Sequence, residues 1–198
     1  VFIDYKTDDT APSATATTEE SPVETILFTT FNDSWEDWAQ NSVVGDQVWE
    51  RDLIHGIEGT PCAKMSGYAN DVANDNEDWL ITPKLENLNN YHNVKFSFHT
   101  AVGYIGQALQ LRMSQDYDGT GNPNDFTWLD LSGDATWPTG DYFEWTFSGE
   151  IDVDEYLTES MYFAFVYFSN ATDAATWEVD NIKVTGEEGS GIEDIEQH

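Results

Sequence analysis

Cationic side chains are what this sequence most lacks: only seven Lys or Arg stand against 38 Asp or Glu, a formal charge of −31 on 198 residues. Such a chain repels nucleic acid, anionic headgroups and other polyanions, which excludes those partners. Cysteine is nearly absent too. Cys62 is alone, so no intrachain disulfide, thiolate zinc site or CxxC redox pair can form, and it reads as a small core residue. There is no apolar run of about 18 residues, hence no helical membrane span and no expected membrane insertion. Enzymatic signatures are also missing: no GxSxG, no HExxH, no phosphate-cradling glycine loop and no dinucleotide fingerprint. His55, His92, His99 and His198 are scattered, and among 38 acids some pair meets a glycosidase spacing by chance. The expectation is that the chain is not an enzyme.

What is abundant is aromatic. Eight Trp, nine Tyr and eleven Phe make up 14% of the chain, which argues for a folded core, since highly charged disordered chains are poor in aromatics. The carboxylates then need another form of compensation, and hard divalent cations such as Ca²⁺, which take six to eight oxygen ligands, are the candidates.

Residues 1–25 read as a linker or the end of a preceding domain, because 6–25 is a Thr/Ala/Ser/Glu/Pro tract with hardly an apolar anchor. Residues 186–198 read as a second linker or tail. The sequence starts at Val1 without Met and is expected to be a mature or excised piece of a longer multidomain protein. The globular unit is expected over 26–185, flanked by flexible acidic termini.

Within that unit, short strand signals alternate with Gly, Asn and Asp turns: 26–31, 62–68, 79–82, 94–101, 108–114, 127–131, 142–147, 161–168 and 176–184. Val94, Phe96, Phe98 and Thr100 alternate with Lys95, Ser97 and His99, the mark of a strand with one buried face. Met161-Tyr-Phe-Ala-Phe-Val-Tyr-Phe is apolar throughout and belongs mid-sheet or under a covering element. Only 33–39 and 152–157 suggest a helical turn. The fold class is therefore all-β, a two-sheet antiparallel β-sandwich or jelly roll. The apolar parity changes between Trp177/Val179 and Ile182/Val184, which predicts a bulge at Asp180-Asn181.

Two constellations bear on function. Asn32 and Asp33 leave the first strand and Asp180 sits at the bulge of the last; first and last strands of a sandwich are commonly neighbours, so these groups could converge on one ion. Asp78 ends the densest oxygen cluster, 70–78, for which a solvated acidic loop is the plainer reading. Asp116-Tyr-Asp118-Gly opens like an EF-hand loop but has Thr127 where the bidentate Glu should stand, so it reads as a strand-to-strand loop. The second constellation is aromatic. Trp49, Tyr68, Tyr104, Tyr117, Trp128, Trp137 and Tyr142 lie in or beside turn-rich stretches, where a bare ring can stack on the C–H face of a sugar, and Trp49, Tyr104, Trp128, Trp137 and Tyr142 are the candidate platform. The alternative is that these rings cap the ends of the sandwich, while Trp79, Trp145 and Trp177, on well-formed strands, belong to the core.

An ordered set of motifs adds to this. Asn76-Glu-Asp-Trp-Leu-Ile-Thr-Pro83, Leu85 and Leu88, and Val94-Lys-Phe-Ser-Phe-His resemble the WLxTP…L…LxF core of a Bacteroidetes family. So do Leu109-Gln-Leu-Arg-Met-Ser-Gln-Asp-Tyr, Phe126-Thr-Trp-Leu-Asp-Leu, Tyr162-Phe-Ala-Phe and Trp177-Glu-Val-Asp-Asn-Ile-Lys-Val. The family is the choice-of-anchor J / cleaved-adhesin group of jelly-roll domains, similar to many carbohydrate-binding modules. The resemblance implies a secreted, extracellular or outer-membrane-surface domain in a longer protein. It also implies structural Ca²⁺ near the first and last strands, landing on Asn32, where a Glu often stands, and Asp180. Members serve as adhesins, as polysaccharide binders in polysaccharide utilisation, or as accessory domains of secreted hydrolases. The resulting expectation is a non-catalytic glycan-binding module for a neutral, glucan-like polysaccharide or oligosaccharide, stabilised by calcium. The alternatives are an adhesin or protein-interaction domain without a sugar site, or an accessory domain of a secreted hydrolase.

Overall fold

The computed structural model describes residues 21–140 and 142–189; of the expected linkers 1–25 and 186–198, residues 1–20 and 190–198 lie outside the described residues. In chain order the strands are β1 Val23–Thr29, β2 Ala39–Val44, β3 Glu50–Asp52, β4 Cys62–Ser66, β5 Tyr68–Ala69, β6 Val72–Ala73, β7 Asn76–Ile81 and β8 Leu85–Glu86. They continue with β9 Tyr91–Gly103, β10 Gln110–Ser114, β11 Leu129–Asp130, β12 Thr146–Phe147, β13 Ile151–Asp152, β14 Ser160–Ser169 and β15 Thr176–Glu188. Among the described residues the only helical pieces are single 3-10 turns, one of them Asp154–Tyr156 in the stretch expected to turn; 33–38 forms bends and a turn, not a helix.

Two antiparallel sheets stack as a sandwich. The first runs β12-β9-β15-β4-β3, with β1 on β15 and β13 on β9; the second runs β11-β10-β14-β7-β2, with β8 on β14. Alternation explains the packing. Phe96, Phe98 and Val102 of β9 and Trp177 and Val179 of β15 face Met161, Phe163, Phe165 and Tyr167 of β14 across one apolar core. The alternate residues of β14 are apolar as well. Tyr162, Ala164 and Val166 join Trp79, Ile81 and Tyr117 in a second cluster on the outer side of the second sheet, covered by Phe126 and Trp128. The uniformly apolar strand is thus both central and covered, as its composition requires.

β15 organises the first sheet. Its start, Thr176–Val179, pairs with β4, and its end, Ile182–Glu187, pairs with β1 on the same side. Between them the register slips at Asp180–Lys183, and Asn181 adopts a left-handed φ of 49°. The bulge that parity predicted lies there, and first and last strands are neighbours. Strand pairing also reaches past the expected 26–185, with Val23 opposite Glu187. Backbone ladder bonds to β1 and β9 carry the glycine-interrupted end of β15 despite its linker-like composition.

Candidate functional site

The outer face of the first sheet carries a cleft of about 1290 Å³. This exceeds the roughly 300–1,000 Å³ of sites that enclose one small molecule and suits several rings of a chain ligand. On β4, Lys64 and Ser66 face it because Ala63 and Met65 face the core; on β15, Thr176 and Glu178 face it because Trp177 and Val179 do not. Glu50 of β3 completes the floor, opposite Lys64 in the ladder. One wall is the 54–59 loop with Ile54 and His55. The others come from Val48, the β5–β6 hairpin with Tyr68, and a clasp of Tyr104, Ile105 and Phe143.

Each wall has a local cause. Asn70 and Asp71, both at left-handed φ (53° and 63°), form the two-residue turn that a tight hairpin needs, so part of the 70–78 oxygen cluster is turn chemistry. Gly103 has no side chain where the Phe143 ring lies; a Cβ there would stand 2.3 Å from it. The Phe143 N–H donates to the Val102 carbonyl (3.0 Å), holding the clasp against β9. Tyr104 lies 6.1 Å from Phe143 and 6.4 Å from Tyr142, edge to face in both cases. Tyr104 and Tyr142 are bare, 66% and 80% exposed, and Tyr68 is 56% exposed.

The floor is a charge network. Lys64 Nζ lies 2.9 Å from both Glu50 Oε1 and Asp52 Oδ2, and His55 Nδ1 lies 2.8 Å from the same Asp52 oxygen. Asp52 Oδ1 accepts the backbone N–H groups of Ile54 and His55, fixing the start of the 54–59 loop. Burial alone would raise the Asp52 carboxyl, but the hydrogen bonds from His55 and Lys64 outweigh it and hold the group well below the usual carboxylate range. Glu178 is the opposite case. Its burial pushes it up to about 7, with neighbouring Asp52 adding to the shift and His55 and Lys64 easing it. Thr176 Oγ1 donates to Ser66 Oγ at 2.9 Å, a hydroxyl pair beside the carboxylates. The cleft thus offers apolar ring faces on its walls and hydrogen-bonding groups of both polarities on its floor.

Not all expected ring platforms are here. Trp49 is 2% exposed and donates its indole N–H to the Asp78 carbonyl, inside the sandwich. Trp128 packs on Trp79 (5.0 Å) and donates to the Pro123 carbonyl, covering the far sheet. Trp137 packs on Phe98 (5.3 Å) and Trp177 (5.9 Å) and donates to the Ser132 carbonyl. These three indoles serve packing, each with its N–H used internally. Tyr104 lines the cleft and Tyr142 stands beside it.

The expected metal ligands do not come together. Asp78 faces the inside of the sandwich from the second sheet, its carboxylate oxygens without a close hydrogen-bond partner among the described residues; burial pushes it up to about 7, with the Glu77 charge adding to the shift and the nearby Ser42 hydroxyl only easing it. Asp33 is exposed. Asp180 is buried and already accepts the N–H groups of Ile57 (3.0 Å) and Asn181 (2.7 Å). At the exit of β1 a cation is already in place: the Arg51 guanidinium donates to the carbonyls of Phe31 and Asn32. These residues do not fit a calcium ion there, since Arg51 occupies the carbonyl oxygens that a hard cation would take. Sequence reasoning missed Glu50, Asp52, His55, Lys64 and Glu178. They are three segments apart in sequence, and only strand pairing makes them neighbours.

No family model matches the chain, and no curated protein matches it. Solved structures do. One is the TmCBM61 module in complex with beta-1,4-galactotriose, with TM-score 0.53 and 13% identity, covering 81% of this chain and 97% of that one. Another is the K1 cleaved adhesin domain of Lys-gingipain from Porphyromonas gingivalis W83, with TM-score 0.52 and 14% identity, covering 83% of this chain and 98% of that one. The chain therefore has the jelly-roll β-sandwich fold of carbohydrate-binding modules and cleaved-adhesin domains.

Proposed function

We propose that the chain is a non-catalytic glycan-binding module, of the choice-of-anchor J type, that works at the cell surface or outside the cell and holds a neutral, glucan-like chain in the cleft of the first sheet. The observation that carries this reading is the pairing of bare rings on the walls, Tyr104 and Tyr68, with the Glu50, Lys64, Ser66 and Thr176 floor. Ring faces stack on sugar C–H surfaces while carboxylate, ammonium and hydroxyl groups bond the sugar hydroxyls. The charge of −31 disfavours sulfated or uronic chains. Affinity gel electrophoresis on neutral polysaccharides tests it. Retardation by at least one, clearly reduced by Tyr104→Ala and kept by Trp128→Phe on the opposite sheet, supports the reading. Absence of retardation across the panel overturns it.

A second reading, an adhesin or protein-interaction domain, draws on the apolar side chains around the cleft: Val48, Leu53, Ile54 and Ile105 are all more than half exposed. Such side chains suit a protein partner better than a sugar. Service as an accessory domain of a secreted hydrolase is compatible with either reading.

A further inference from the structure

Asp52, His55 and Glu178 each offer one ligand atom, and these three atoms lie within 4.8 Å of one another. We propose that they form a divalent metal site on the cleft floor, taking a borderline cation of the zinc class rather than calcium. One imidazole with two carboxylates is a donor set for such ions, whereas calcium prefers an all-oxygen shell.

Glu178 supplies the independent observation. It is only 3% exposed, yet lines the cleft, and its carboxylate meets no hydrogen-bond donor among the described residues; only its backbone carbonyl is engaged, by Thr100. A carboxylate so largely desolvated, open only towards the cleft and without a donor of its own, is stabilised by a cation that reaches it from that side. Charge gives the valence. Once a metal displaces the proton of Glu178, the carboxylates of Glu50, Asp52 and Glu178 face the single ammonium of Lys64, leaving two negative charges that a divalent ion matches.

Lys64 does not block the site. It bonds Glu50 as closely as Asp52, so it keeps one carboxylate partner when Asp52 turns to the metal. Ligand atoms around a tetrahedral zinc at about 2.0–2.1 Å lie roughly 3.3 Å apart. Closing from the present spacing needs shifts of an ångström or so, which the His55 side chain, 60% exposed on its loop, can supply. Three protein ligands leave a fourth position open towards the cleft, where a sugar hydroxyl would complete the shell. That last consequence rests on the glycan reading; the site itself does not.

Titration calorimetry of Zn²⁺ alone into the metal-stripped chain tests the site without any glycan. The expected result is one tight site per chain, weakened at least about tenfold (about 1.4 kcal/mol) by His55→Ala and by Glu178→Gln. Asp118→Asn, an exposed acid over the opposite sheet, should leave it unchanged. Co²⁺ substituted at the site should show visible absorption bands that His55→Ala removes. Equal affinity in wild type and His55→Ala, or only weak binding spread over many carboxylates, overturns the proposal.

Discussion

Among the described residues no tryptophan is exposed, whereas three tyrosines are. Trp38, Trp49, Trp79 and Trp177 are buried and the other four indoles are half-buried, whereas Tyr68, Tyr104 and Tyr142 stand out. The sequence could not separate these cases, because a loop Trp with a nearby carbonyl, such as Trp128 with Pro123, folds back into the core. Its large surface makes packing the stronger draw. Loss of one stacking ring predicts that Tyr104→Ala weakens glycan binding about tenfold, on the order of 1.4 kcal/mol, without lowering the melting midpoint. Asp78 gives a prediction in pH. Its folded value, about 7, lies above the ordinary 3.8, so the native state holds a proton that the unfolded chain releases. Below the ordinary value this group costs nothing, and stability falls as pH rises from there through the folded value. Asp78→Asn should therefore stabilise the protein more at about pH 8 than at about pH 5, by on the order of a few kcal/mol. Thermal melts at the two pH values check this; an equal effect at both contradicts it.

At the scale of elements, legibility followed apolar patterning. β9, β10, β14 and β15 were readable because one or both of their faces are core. β2 and β3 were not: Ala39–Val44 and Glu50–Asp52 lie at the ends of their sheets, largely solvated, and show no alternation. The missed β3 is the strand that supplies Glu50 and Asp52, so two of the five members of the cleft's charge network vanished with it. The bulge was legible, since a parity change in β15 has no other explanation in a continuous strand. Arg51 was not, although it ties β3 to the exit of β1 through two carbonyls. Charge-assisted bonds of this kind, partly exposed, are worth about 2 kcal/mol together. Arg51→Met should lower the melting midpoint by roughly 4–8 °C. Millimolar calcium should leave the wild-type midpoint where it is; a calcium-dependent rise that Asp180→Asn removes would contradict the misfit.

For the whole molecule, the fold was legible and its working face only partly so. Periodicity and the ordered motifs led to the jelly roll, but a sandwich has two outer faces, and nothing in the alternation says which is open. The structure answers with the second cluster: Trp79, Tyr117, Tyr162 and Phe126 fill one outer face, leaving the cleft on the other. The large negative charge bears on the ligand too. Binding to a neutral glycan releases no counterions, so retardation should be nearly constant between about 0.05 and 0.5 M salt, while anionic glycans should be excluded at the lower end. The most direct measurement is hydrogen–deuterium exchange with and without an oligosaccharide of a retarding glycan. The account predicts slowed exchange in 53–59, 67–73, 103–106 and 172–176, around the cleft. Protection confined to 115–128, over the second sheet, would contradict it.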